Sequence, residues 1–198
     1  MKRRITFVAA LLTFGITAPA IAAETGEARS GIQGMSDEEI INIAQSAAPP
    51  HISGEATILV PAPDGKLRTV REGTNEFTCI ADLSGQETPD PVCADRAGTE
   101  WFMSFFNNEP RPANTEPGIA YMAQGGWHWE RDGEIVMGPA EGATRVKEPP
   151  HWMLLWPIEA GQAGLPENPN RFGTYVMYEG SPFAHLMVYQ DPKTLPAG

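Results

Sequence analysis

The sequence predicts an α+β domain in which an antiparallel sheet packs against two helices and long Gly/Pro-rich loops connect the elements. The 19 prolines and 20 glycines among 198 residues are typical of a chain with many turns. Most apolar segments are short and bounded by turn residues, which favours strands. Two other segments repeat apolar residues at helical spacing, which favours helices.

The first 23 residues are predicted to be a secretion signal. Residues 1–4 form a basic n-region with Lys2, Arg3 and Arg4, and residues 5–16 are apolar but too short to span a bilayer. Ala20-Ile21-Ala22 has the small-x-small pattern of a cleavage site. The expected organisation is therefore a signal peptide over 1–23, a flexible leader over 24–34, a single domain over 35–190 and a tail over 191–198.

Composition and charge narrow the class of protein. No later apolar run approaches the roughly 20 residues of a membrane helix, so we expect no membrane anchor after signal cleavage and a periplasmic or secreted product. The formal charge of −11 becomes −14 without the signal, which holds three basic and no acidic residues. Such an acidic surface repels nucleic acid and anionic lipid, so we expect neither as a partner.

Cys79 and Cys93 are the two cysteines of the chain. In an exported protein they favour a structural disulfide, because their spacing differs from Cys-x-x-Cys. The closed loop of about 15 residues predicts a contribution of about 3 kcal/mol to stability. A metal-binding or redox-active pair is the alternative.

Two helices are predicted. The first covers residues 37–47, where Ser36 and Glu39 have the spacing of a capping box, and Pro49-Pro50 ends it. The second begins with Asp90 as its N-cap and Pro91 in its first position. Its wide apolar face consists of Ala94, Ala97, Gly98, Trp101, Phe102 and Phe105. Cys93 would lie in its first turn, and Gly98 indicates close packing against a neighbour.

Seven strands are predicted from apolar or alternating segments. They cover residues 55–60, 66–71, 77–81, 118–124, 148–157, 174–179 and 183–189. The first two and the last two are expected to form hairpins. Residues 158–172 are expected to be a loop with one helical turn.

The segment Gly125–Glu148 has no clear period and is predicted to be a long loop. Loops of that length in compact domains are functional or mobile. Within it, Trp127-His128-Trp129 suggests either an aromatic binding loop or a loop anchored by its tryptophans.

Two predicted strands each contain a His-x-Met motif. Because residues two apart share a face of a strand, His151 lies beside Met153, and His185 beside Met187. If the strands pair in register, four donors meet on one face. Imidazole and thioether donors favour copper, and thioethers favour Cu(I). The alternative is that the methionines fill the core and the histidines bond to carbonyl groups.

Two other function classes stay open. One is an enzyme that uses His128, His151 or His185 with a nearby carboxylate as an acid–base pair. The other is a structural envelope-interaction protein without a small ligand. The sequence has no Gly-x-Ser-x-Gly, no nucleotide-binding glycine loop and no His-Glu-x-x-His, so no catalytic residue is assigned.

The spaced motifs resemble those of a family of uncharacterised exported bacterial proteins. They are REGTNEFTC (71–79), DPVC (90–93), GIAYM (118–122), PHWM (150–153), YVM (175–177) and AHLMV (184–188). The resemblance spans roughly residues 55–188 and implies export but no activity. Residues 125–148 depart most from the family pattern.

Overall fold

The computed structural model describes residues 31–62, 66–85 and 88–196 and has the α+β fold that the sequence predicts. The helices are α1 (Asp37–Gln45), α2 (Pro50–Ser53), α3 (Arg96–Phe106) and α4 (Ala160–Ala163), followed by a 3-10 turn at Pro192–Thr194. The strands are β1 (Thr57–Pro61), β2 (Leu67–Arg71), β3 (Thr78–Ile80), β4 (Val92–Ala94), β5 (Gly118–Met122), β6 (Trp127–Arg131), β7 (Glu134–Val136), β8 (Thr144–Lys147), β9 (His151–Leu155), β10 (Thr174–Met177) and β11 (His185–Val188).

Eight strands form the main sheet in the order β10-β11-β9-β5-β4-β3-β1-β2. All neighbouring strands are antiparallel except β1 and β3, which are parallel. The two predicted hairpins, β1–β2 and β10–β11, are confirmed. The predicted helical turn in the loop before β10 is also present, as α4.

The main sheet buries a different helix on each face. Ile40 and Ala44 of α1 pack with Ile58 and the disulfide on one face. Trp101 and Phe102 of α3 pack on the other face. The residues of the second face include Val92, Ala94, Ala120, Met122, Met153 and Met187. Because side chains alternate along a strand, successive residues of β4 point to opposite faces of the sheet.

The first helix begins where the sequence places it. The Ser36 hydroxyl accepts from the main-chain N–H of Glu39, and the Glu39 carboxylate accepts from the N–H of Ser36 at 2.8 Å. This reciprocal pair is the predicted capping box. The helix ends at Gln45, and a separate short helix begins at Pro50.

The predicted start of the second long helix is wrong. Asp90 does not cap a helix, because its carboxylate accepts hydrogen bonds from the N–H groups of Leu83 and Ser84. Val92–Ala94 instead form β4, which pairs with β3 and β5. The N-cap is Asp95, which accepts from Gly98 N–H at 2.7 Å. Cys93 therefore lies on a strand and not in the first turn of the helix.

The close packing predicted at Gly98 is present. A Cβ atom on Gly98 would lie 2.9 Å from the Ile119 carbonyl oxygen, and one on Gly118 would lie 2.2 Å from the Gly98 nitrogen. The two glycines let α3 approach β5 more closely than side chains would allow. This approach fixes the position of the aromatic face of α3 over the sheet.

The prediction of a long loop over Gly125–Glu148 is wrong. This segment forms a small antiparallel sheet in the order β7-β6-β8. Asp132 and Gly133 have φ values of 55° and 84° and form the tight turn between β6 and β7. Asp-Gly is a common sequence in hairpin turns. The segment was nevertheless predicted to be a loop, because its apolar residues have no clear period.

The predicted disulfide is present between Cys79 and Cys93, which lie directly opposite each other on β3 and β4. This bond fits an extracellular or periplasmic protein. The predicted signal peptide lies outside the described residues. Within the described parts of the chain, no helix has the length and apolar character needed to cross a membrane.

Replacing both cysteines with serine should lower the free energy of unfolding by about 3 kcal/mol, because the unfolded chain loses its cross-link. Urea unfolding followed by tryptophan fluorescence measures this. A Ser46→Ala variant, which leaves the cross-link intact, serves as the control. An unchanged midpoint in the double serine variant would contradict the assigned role of the bond.

Candidate functional site

A cavity of about 360 Å³ opens between the main sheet, α3 and the small sheet. Its base is the face formed by β5, β9, β11 and β10. Aromatic residues of α3, including Trp101 and Phe105, form one wall. Trp127, Trp129 and Arg145 of the small sheet form another. A mostly apolar cavity with a few polar groups at its base is the usual form of a ligand site.

Both His-x-Met motifs line this cavity. β9 and β11 are neighbours, and their register places Met153 directly opposite Met187. His151 and His185 lie on the same face but at opposite ends of the row. The four predicted donors therefore share one cavity, with the thioethers in the centre and the imidazoles to either side.

The flanking strands add two methionines that sequence reasoning missed. Met122 of β5 lies directly opposite His151, and Met177 of β10 lies directly opposite His185. Both line the cavity. The alternation within each strand shows which residues share a face, but only the strand order shows that these methionines stand beside the histidines. Met137 also lines the cavity, so five of the eight methionines of the chain do.

Each imidazole of the cavity is oriented by a main-chain carbonyl group two residues earlier. His151 Nδ1 donates to the Pro149 carbonyl at 2.8 Å, and His185 Nδ1 donates to the Phe183 carbonyl at 2.8 Å. A carbonyl oxygen only accepts, so Nδ1 carries the proton in both rings. In the neutral ring the lone pair is then on Nε2. This is the arrangement commonly seen around metal-ligating histidines.

Both imidazoles are held in the neutral form. Burial lowers the pKa of His185 to about 4. Burial also lowers the pKa of His151, although the charge of Glu148 partly opposes this effect. Neutral imidazole is the form that binds metal, so these side chains do not have to release a proton near neutral pH.

A buried carboxylate, Glu148, lies beside this row and was not singled out by the sequence. Its Oε1 accepts from His128 Nδ1 at 2.7 Å and from the Tyr175 hydroxyl at 2.9 Å. The Tyr175 hydroxyl in turn accepts from Tyr189 at 3.3 Å. Glu148 Oε2 lies 3.5 Å from His151 Nε2. Both of these atoms carry lone pairs, so a cation between them would be attracted to both.

Glu148 and His128 form an ion pair. Burial disfavours both charges, but the hydrogen bond between the two side chains and their mutual attraction have the larger combined effect. They hold the pKa of Glu148 below its usual value and raise the pKa of His128. Burial, followed by the charge of Glu148, raises the pKa of Tyr175, so this hydroxyl stays protonated and donates. His128 Nε2 lies 3.7 Å from the Glu130 carboxylate.

The segment Trp127-His128-Trp129 contributes to both the interior and the cavity. His128 points inward to Glu148, whereas both tryptophans line the cavity. The Arg145 guanidinium lies 4.6 Å from the Trp127 ring centroid and donates to the Ser84 hydroxyl at 3.2 Å. The tryptophans are therefore held in place by cation–π contacts across the small sheet.

The donor set of the cavity differs from that of a zinc or calcium site. Among the described residues, no three His, Cys, Asp or Glu side chains are grouped so that they could hold a metal ion. The cavity lining offers thioether sulfurs as further donors beside its histidines. No family model, curated protein or solved structure matches the chain.

The Glu148–His128 pair should make stability depend on pH at both ends of its range. Its contribution is lost at acid pH, because the lowered pKa of Glu148 means that this side chain is protonated only below the ordinary glutamate pKa of 4.5. It is also lost at alkaline pH, because the raised pKa of His128 means that this side chain loses its proton only above the ordinary histidine pKa of 6.5. Glu148→Gln should remove about 3–5 kcal/mol between these limits, because it leaves a buried partner unpaired.

Urea unfolding at a series of pH values measures this profile for the wild type and Glu148→Gln. Glu141→Gln, at an exposed position, is the matched control and should reproduce the wild-type profile. If Glu148→Gln had the same pH dependence as the wild type, the assignment of the ion pair would be wrong.

Proposed function

We propose that this protein is exported and binds Cu(I) in the cavity that its histidines and methionines line. The observation that carries the proposal is the common face shared by His151, Met153, His185 and Met187 on two paired strands. The disulfide supports an oxidising compartment. A copper-binding protein is chemically reasonable there, because imidazole and thioether ligands suit copper.

Three features of the cavity favour binding of a soft metal ion such as Cu(I). Thioethers are soft ligands and favour Cu(I) over harder cations. The imidazole Nε2 atoms already carry their lone pairs and are oriented by carbonyl groups. His151 and His185 are at most 2 % exposed, so competing water has little access to them. Together these features favour binding with little reorganisation of the protein.

Acid–base catalysis is the second candidate function, and the Glu148 network favours it. Glu148 Oε2 and His151 Nε2 lie at the cavity and could share a proton with a bound substrate. The network has features of a structural ion pair as well, since Glu148 Oε1 already accepts two hydrogen bonds. We therefore rank metal binding first.

Titration of the purified protein with Cu(I) under anaerobic conditions, in competition with a chromophoric chelator, tests the first proposal. We expect the protein to remove Cu(I) from the chelator. Met153→Leu/Met187→Leu should weaken binding at least tenfold, because leucine keeps the volume but lacks the sulfur. His151→Ala/His185→Ala should have a similar effect.

Met103→Leu is the matched control, since Met103 is half-buried on α3 and does not line the cavity. It should bind like the wild type. Failure of the wild type to compete with the chelator would reject Cu(I) binding. If Met103→Leu lost Cu(I) affinity as strongly as the cavity variants, binding would not depend on the cavity.

A further inference from the structure

The donors of the cavity are arranged with an approximate local two-fold symmetry. Antiparallel strands are related by such an axis perpendicular to the sheet, and here it passes between Met153 and Met187. It exchanges His151 with His185. It also exchanges the flanking strands β5 and β10, and so exchanges Met122 with Met177.

The hydrogen bonds of the two histidines follow the same symmetry. In each case Nδ1 donates a hydrogen bond at 2.8 Å to the carbonyl group two residues earlier. This leaves Nε2 as the ring nitrogen whose lone pair can bind a metal ion. Each histidine also has one methionine directly opposite on the outer strand and one diagonally opposite on the inner strand. Diagonal neighbours in a sheet are about 7–8 Å apart at Cα, within reach of a methionine side chain.

The spacing of the two histidines is too large for both to bind one ion easily. The register separates them by about four residues along the strands, which is about 13 Å at the usual rise. Two imidazole nitrogens on the same ion lie no more than about 4 Å apart, because each bond is about 2 Å long. To bind one ion, both imidazoles would have to tilt towards each other, away from the direction roughly perpendicular to the sheet that side chains of strands adopt.

We propose that the cavity holds two Cu(I) ions, one at each histidine. His151 binds the first ion with Met122, and His185 binds the second with Met177. Met153 and Met187, at the centre of the row, each supply a further thioether to one of the two ions. This inference rests on the proposed function and specifies its stoichiometry and ligands. It also assigns Met122 and Met177, which lie on strands outside the two His-x-Met motifs.

The surroundings of the two sites differ, so the sites are not equivalent. Glu148 lies 3.5 Å from His151 Nε2 and gives the first site a nearby negative charge. The second site has aromatic edges instead, with ring centroids of Trp101 and Tyr178 at 5.1 and 5.6 Å from that of His185. Gly126 borders the first site, since a Cβ there would lie 3.4 Å from Met122 Sδ and 3.5 Å from His151 Cε1.

The test is an anaerobic Cu(I) titration of protein labelled with ¹³C at the methionine methyl groups, followed by NMR, with native mass spectrometry to count bound ions. We expect the shifts to saturate at two equivalents. Met122→Leu should bind one equivalent and keep the shift of the Met177 methyl group. Met177→Leu should bind one equivalent and keep the shift of Met122.

The Met103→Leu control should still bind two equivalents. Saturation of every cavity methyl group by one equivalent would overturn the two-ion inference and leave Cu(I) binding in place. The absence of both shifts and bound ions would overturn the proposed function itself. The count on the wild-type protein decides between these outcomes even if a variant does not fold.

Discussion

The buried carboxylate of Glu148 is the interaction on which the arrangement of the site depends. It joins His128 of the small sheet to Tyr175 of the main sheet, and its second oxygen faces His151. An isolated buried charge would be strongly unfavourable, so Glu148 needs its partners in place. The small sheet is therefore held against the main sheet at one defined position. Gly125 assists, because a Cβ there would lie 2.1 Å from the Glu148 carbonyl oxygen.

The cavity exists because this attachment and the position of α3 are both fixed. The small sheet supplies one wall through Trp127 and Trp129, and α3 supplies the other through Trp101 and Phe105. Trp101 stacks on Phe105 and meets Phe183 and His185 edge-on. Aromatic contacts of this kind restrict side-chain rotation. The donors thus lie on rigid strands and are surrounded by packed rings, which favours a preorganised site.

The sequence was sufficient to predict much of this fold, because several elements carry strong local signals. The capping box at Ser36 and Glu39 and the terminal hairpin of β10 and β11 are confirmed. The start of α3 was missed because Asp90 and Asp95 have similar capping chemistry, and only tertiary pairing assigns Val92–Ala94 to a strand. The strands of the small sheet were missed because their exposed charges hide the alternation.

The site could be predicted only in part, for a related reason. A strand pattern shows that His151 and Met153 share a face, but it does not show which strands are neighbours. Met122 is 29 positions before His151, yet the two lie directly opposite each other. The role of Glu148 was hidden in the same way, because its partners His128 and Tyr175 lie 20 and 27 positions away. Contacts of this kind depend on the topology of the whole sheet.

The disulfide and the methionines of the cavity lie on opposite faces of the main sheet. Cys79 and Cys93 face α1, whereas Ile80, next to Cys79, and Val92 and Ala94, on either side of Cys93, face the cavity side of the sheet. The full thickness of the sheet therefore stands between the cysteine sulfurs and the methionine sulfurs. Reduction of the disulfide would release two thiols on the α1 side without adding thiolate ligands to the cavity. The chain can thus change its thiol redox state while the donor set available to a bound ion stays the same.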